Sequence, residues 1–168
     1  FLQEFMTMSI QICEGQQLDL DMQKKKIVSL DEYFQMINLK TGVLIQFALS
    51  SAASMSEKGR LHLNEINSIG KDLGVLFQIQ DDFLDLYGNQ QKVGKSIGGD
   101  VVEGKKTFLY ITALNEASIE IRQKLIKIYH SKNSNKLKDV SSIYSDLLVR
   151  KRVQKTIKSL RDSIFNSI

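Results

Sequence analysis

The 168-residue chain contains no proline, although average usage near 5% would place roughly eight in it. Proline breaks helix interiors and sheet ladders but is common in turns and at first helical positions. A chain that omits it is most easily a series of helices joined by Gly, Ser and Asn. Helical periodicity agrees. Phe1, Phe5, Met8 and Ile12 recur at spacings of three and four, one helix face, over residues 1–19. After the polar turn DMQKKKIVS, Ser29 and Glu32 form a capping box that opens a long helical segment, residues 30–56. Gly59 interrupts, and residues 61–87 read as the most apolar helix. Five glycines between 88 and 104 mark a loop, followed by TFLYITALNEA, IEIRQKLIKIYH and two further helical stretches. The expected architecture is all-α, six or seven helices in one domain.

Composition closes other doors. At 42% hydrophobic and net charge +4 the chain is not disordered. One Cys cannot close an internal disulfide, which fits a reducing, cytoplasmic setting. Cys13 falls in an apolar stretch and reads as core. No apolar run approaches the ~20 residues of a membrane span. The opening FLQEFMTM carries neither an initiator Met nor a signal-peptide pattern. Charge is uneven: residues 1–120 carry a net −5 and residues 121–168 a net +9. The basic region reads first as solvated helix faces, and second as attraction to an anionic membrane or nucleic acid.

The chemistry concentrates in FQIQDDFLDLYG, residues 77–88. On a helix with Asp81 at 0°, Asp85 falls at about 40°, Gln78 at about 60° and Asp82 at about 100°. Gly74 lies at about 20°, where a missing side chain leaves room. Phe77, Ile79, Phe83, Leu84 and Leu86 suit the rest of the circumference to burial. Three carboxylates in one stripe repel one another and are costly on a buried helix. Mg²⁺ would answer both, since it takes hard oxygen ligands, keeps waters, and pairs one or two carboxylates with substrate phosphates. The plainer alternative, a solvated acidic face or ion pairs with lysines, is disfavoured by the flanking Gln78 and the apolar surroundings.

The following loop, GNQQKVGKSIGGDVVEGKKT, spreads Lys95, Lys105 and Lys106 along glycine-rich backbone suited to enclosing a polyphosphate. The GKS at 94–96 is not a P-loop, because Asn occupies position 89 and a helix precedes it. The acidic run lacks EF-hand spacing. Lys40 and Thr41 sit mid-helix in an apolar stretch; alone they read as a snorkelling Lys beside a small packed residue. Gly15, Gln16 and Asp19 alone read as a fraying helix end. His62 and His130 are isolated and, with one Cys, form no transition-metal motif.

Taken in order, GQQLDL at 15–20, KTG at 40–42, FQIQDDFLD at 77–85 and GK…GGD…KK at 94–106 resemble the trans-isoprenyl diphosphate synthases, the polyprenyl synthetase family of farnesyl and geranylgeranyl diphosphate synthases. The resemblance runs from residue 1 to about 116, around that family's second aspartate-rich motif. It implies an all-α, isoprenoid-synthase-type bundle around a deep central cavity, usually as a homodimer. It implies that an allylic diphosphate ionises with Mg²⁺ drawing off its diphosphate. Isopentenyl diphosphate then attacks the allylic cation and loses a proton. By motif, Asp81, Asp82 and Asp85 would be the metal set, with Asp81 the direct ligand. Lys40 and Lys95 would contact the allylic diphosphate, and Thr41 and Gln78 would stabilise the cation. Gln16 and Asp19 would line the allylic pocket. Asp100, grouped with the metal residues, and Lys105 or Lys106 would belong to the closing loop.

The chain departs from the family pattern. DEY at 31–33 is not a first aspartate-rich motif, and the basic set that binds isopentenyl diphosphate has no counterpart. The expectation is therefore a C-terminal part of one synthase domain, inactive by itself. The alternatives are a non-catalytic subunit of a heteromeric synthase, against which the intact aspartates speak, a terpene cyclase, against which GQxxDL and KT speak, and a basic helical interaction module.

Overall fold

The computed structural model describes residues 1–89 and 97–167, and among them every regular element is helical. In chain order these are α1 (Leu2–Lys24), α2 (Leu30–Ile37), a π-helical turn (Asn38–Gly42), α3 (Val43–Ser54), α4 (Glu57–Leu61) and α5 (Leu63–Tyr87). Then follow α6 (Gly99–Glu103), α7 (Phe108–Glu116), α8 (Ile119–Tyr129), α9 (Lys136–Asp146) and α10 (Val149–Phe165). The all-α expectation stands, with more interruptions than the sequence periodicity implies.

Local signals set most boundaries. The capping box forms as read: the Ser29 N–H donates to Glu32 Oε2 at 2.8 Å and the Glu32 N–H to Ser29 Oγ at 3.1 Å. Hydrogen bonds from Lys25 and Ser29 hold the Glu32 carboxyl down at about 2. Ser56, Thr107 and Ser118 accept backbone N–H groups at the starts of α4, α7 and α8. Gly98 and Gly104 take φ of 76° and 79° at either end of α6, a conformation that costs other residues 1–2 kcal/mol or so. Leu148, with φ 54°, accepts that cost between α9 and α10.

The chain divides into two compact units. The first comprises Phe1–Asp21, Phe34–Gln78 and Lys158–Ile168; the second comprises Met22–Tyr33 and Ile79–Ile157. Met8, Met36, Ile37, Val43 and Ile164 are buried in the first. The second holds the larger core, with Tyr33, Ile79, Leu109, Leu125, Val140 and Tyr144 nearly inaccessible.

Burial departs from the apolar pattern in three places. Of the α1 face Phe1, Phe5, Met8 and Ile12, only Met8 is buried, while Phe1 and Phe5 lean on the Phe47 ring at 5.4 and 5.9 Å. Cys13 is exposed rather than core, because it lies about 140° around α1 from Met8. Phe77 and Leu84 are 61% and 37% exposed. They share one stripe of α5, about 20° apart, that no described element covers.

Candidate active site

In the first unit, the sequence-predicted residues gather around the π turn. Lys40 and Thr41 are not in a regular α-helix but in the five-residue turn between α2 and α3. A π turn inserts a residue into the helical ladder and redirects side chains, and such turns recur at functional sites. Two buried glycines make the packing here possible. A Cβ on Gly15 would overlap the Lys40 backbone nitrogen, and one on Gly74 would overlap the Gly42 Cα. The room left by Gly74 is thus filled by backbone of the turn, a close approach that only glycine permits.

This packing sets two polar pairs. Lys40 Nζ reaches Asp19 Oδ2 at 2.6 Å, and the pair is partly buried, so Asp19 holds the ammonium without sealing it from water. The Thr41 hydroxyl donates to Gln78 Oε1 at 3.2 Å. Gln16 is exposed on α1 three residues before Asp19. A long-range ion pair and a long-range hydrogen bond therefore join residues that the sequence separates by 21 and 37 positions.

In the second unit, α5 gives its three carboxylates three different environments. Asp81 is exposed. Asp82 is 6% exposed, and its Oδ2 accepts the Tyr33 hydroxyl and the Phe108 N–H, each at 2.8 Å. Two charge-assisted donors inside a protein compensate a buried carboxylate. They also tie α5 to the start of α7. Burial, then the facing Asp82 charge, pushes the Tyr33 hydroxyl well above its usual range.

Asp85 is partly buried and accepts the Asp100 N–H at 3.1 Å, while its carbonyl accepts the Gly98 N–H at 2.8 Å. Burial and the Asp100 charge raise its pKa, against the Asp100 N–H bond and Lys105. Asp100 lies in the first turn of α6 and accepts Lys105 Nζ at 2.7 Å; Lys105 also reaches Glu103 at 3.2 Å. Burial alone would lower the Lys105 pKa, but these two carboxylates hold it above the ordinary lysine value. Asp81, Asp85 and Asp100 thus crowd negative charge at one end of α5, with Lys105 offsetting part of it.

Lys106 turns the other way. It is 5% exposed, donates to the Gly104 carbonyl at 3.1 Å, and sits 5.0 and 5.2 Å from the Tyr110 and Tyr129 ring centroids. Burial and the nearby Lys136 charge lower its pKa to about 8. Lys136 donates to the Val102 carbonyl at 3.1 Å, so two ammonium groups cap the C-terminal end of α6. The tyrosine set and Lys136 carry no local motif, and only the fold reveals them. Lys95 lies outside the described residues.

Among the described residues, no three His, Cys, Asp or Glu side chains form a ready-made metal cage. Mg²⁺ does not require one, since it takes one or two carboxylates and completes its shell with water and phosphate oxygens. The donor set fits it: hard oxygens on Asp81, Asp85 and Asp100, in surroundings that raise the Asp85 pKa and so favour an added cation.

The sequence profile of the polyprenyl synthetase family matches residues 1–147. A short chain isoprenyl diphosphate synthase of Methanocaldococcus jannaschii is 36% identical over 124 residues, which are 74% of this chain and 38% of that protein. A geranylgeranyl diphosphate synthase of Saccharolobus solfataricus is 33% identical over 125 residues, 74% of this chain and 38% of its own length. The crystal structure of geranylgeranyl pyrophosphate synthetase from Pyrococcus horikoshii superposes with a TM-score of 0.86 at 26% identity, over 99% of this chain and 51% of that one. The chain therefore spans about two fifths of the curated relatives and half of the solved chain. Profile, relatives and helical architecture agree: the chain belongs to the polyprenyl synthetase family.

Proposed function

We propose that the chain serves a trans-prenyl diphosphate synthase, which condenses isopentenyl diphosphate with an allylic diphosphate through an allylic carbocation. The observation that carries this reading is the family match over residues 1–147, a range that contains Asp81, Asp82 and Asp85. In it, Asp81 and Asp85 hold Mg²⁺ with Asp100, while Asp82 is the buried anchor that fixes the helix presenting them. When bound, Mg²⁺ neutralises charge developing on the departing diphosphate. In the first unit, Lys40, held by Asp19, would contact the allylic diphosphate, as the family resemblance implies. Gln16, on α1 three residues before Asp19, would line the allylic pocket, as the family resemblance implies. As the family resemblance implies, Lys95 and Lys105 would bring two more ammonium groups to the diphosphate, and Lys106 holds the C-terminal end of α6 through the Gly104 carbonyl. Thr41 and Gln78 offer oxygen dipoles to the cation. Charges placed before the reaction lower the barrier without reorganisation at the moment of ionisation.

The 168 residues hold a single aspartate-rich run, so by themselves they are expected to be inactive. Radiolabelled isopentenyl diphosphate, an allylic diphosphate and Mg²⁺ test this. The chain alone should give no product, and its in-frame fusion to the N-terminal region of a synthase should restore prenyl products. Turnover by the chain alone would refute its expected inactivity, and a fusion that folds yet stays inert would refute the catalytic reading. Two copies are expected to associate, which light scattering at increasing concentration checks.

A further inference from the structure

The acidic site uses nothing of α10, although this helix carries the densest positive charge in the chain. Taking Arg150 as 0°, its own periodicity puts Arg161 at about 20°, Phe165 at about 60°, Lys158 at about 80°, Lys151 at about 100° and Lys155 at about 140°. All six side chains are exposed, and Phe165 is 69% exposed in the middle of the arc. The opposite side of α10 is buried through Val149, Val153 and Ile164. So the helix is already packed by one face, and the basic arc is not the spare side of a core helix awaiting burial.

The charge is largely uncommitted. Arg161 pairs with the neighbouring Asp162 at 3.1 Å, and Arg150 lies 5.3 Å from the Tyr87 ring centroid. Arg152, outside the arc, pairs with Glu116 at 2.9 Å. Among the described residues, Lys151, Lys155 and Lys158 have no salt-bridge partner. Asp162 is the one acidic residue on the helix. Three free lysines at spacings of four and three form a nearly straight row on a helix about 25 Å long.

We infer that α10 is a docking surface for an anionic lipid bilayer, with Lys151, Lys155 and Lys158 at the headgroups and Phe165 inserted at the C-terminal end of their row. Lysines are attracted by the surface potential of an anionic leaflet, and an apolar ring at the C-terminal end of the same face gains by entering the acyl boundary. That ring favours lipid over nucleic acid, since a phosphate backbone offers Phe165 no apolar phase. No described helix is long and apolar enough to cross a membrane, so the contact is peripheral. It adds to the proposed reaction and does not depend on it.

Sedimentation of the full chain with large unilamellar vesicles tests the surface. Phosphatidylcholine vesicles containing about 30% phosphatidylserine should pull the protein down at about 25 mM salt and release it at about 500 mM. Pure phosphatidylcholine should not bind. The triple substitution Lys151→Gln/Lys155→Gln/Lys158→Gln should weaken binding about 100-fold, about fivefold per lysine. Phe165→Ser should weaken it by about tenfold. Lys26→Gln/Lys58→Gln/Lys71→Gln removes the same charge elsewhere and should change binding by less than about threefold. All these side chains are exposed, so circular dichroism should be unaltered. No binding at low salt, equal loss with both triple variants, or tighter binding to duplex DNA at the same salt would each overturn the inference.

Discussion

Asp82 shows how one side chain of an acidic cluster becomes structure. Its two neighbours in the stripe remain within reach of solvent, while Asp82 receives Tyr33 and Phe108 inside the core. Asp82→Ala leaves those donors unsatisfied and should cost about 3 kcal/mol in urea unfolding. Asp82→Asn, which still accepts, should cost less. If both variants unfold like the parent protein, Asp82 is not an anchor. Lys106 gives a second test through pH. Its folded value near 8 lies below the ordinary 10.5, so the unfolded chain holds the proton more tightly between those values. Stability should therefore rise as pH rises from about 8 to 9.5, below the tyrosine titrations. Lys106→Met should flatten that rise, and an unchanged slope would show that Lys106 is not the group responsible. The composition of the stripe was legible in the sequence, but the burial of Asp82 and Lys106 was not. Their partners are set by tertiary contacts, between residues 49 apart for Asp82 and Tyr33.

At the scale of elements, periodicity and caps located most helices, and the Ser29–Glu32 capping box was read correctly from four residues. The π turn was not, since LKTG satisfies a helical pattern as well as a bulged one. Its signal lay in Gly15 and Gly74, distant glycines that meet the backbone of Lys40 and Gly42 only after folding. Gly74→Ala forces a methyl group against the Gly42 backbone and should cost about 1–3 kcal/mol, with Lys40 and Thr41 displaced. Unchanged stability would mean that α5 and the turn are not held this closely. Leu148 offers the opposite change. Replacing it with Gly relieves a left-handed backbone and should raise stability by about 1 kcal/mol, provided that its half-exposed side chain contributes little. A loss in thermal unfolding would show that the Leu148 side chain matters more than its backbone strain.

For the whole molecule, the absence of proline led to helices and the order of four motifs led to the family. Both conclusions survive the structure and the comparisons. Burial of Phe77, Leu84 and Cys13 was misjudged, because an apolar residue in a helical pattern does not reveal whether this chain supplies the surface that covers it. The central claim is that the stripe on α5 performs metal-assisted ionisation and is not a solvated acidic face. In the fused, active synthase, kcat should fall at least about 100-fold for Asp81→Ala, the scale of losing a transition-state charge stabiliser. It should stay within about threefold for Asp72→Ala, an exposed aspartate about 180° around the same helix. Near-parental kcat for Asp81→Ala, or equal loss in both variants, would contradict the claim.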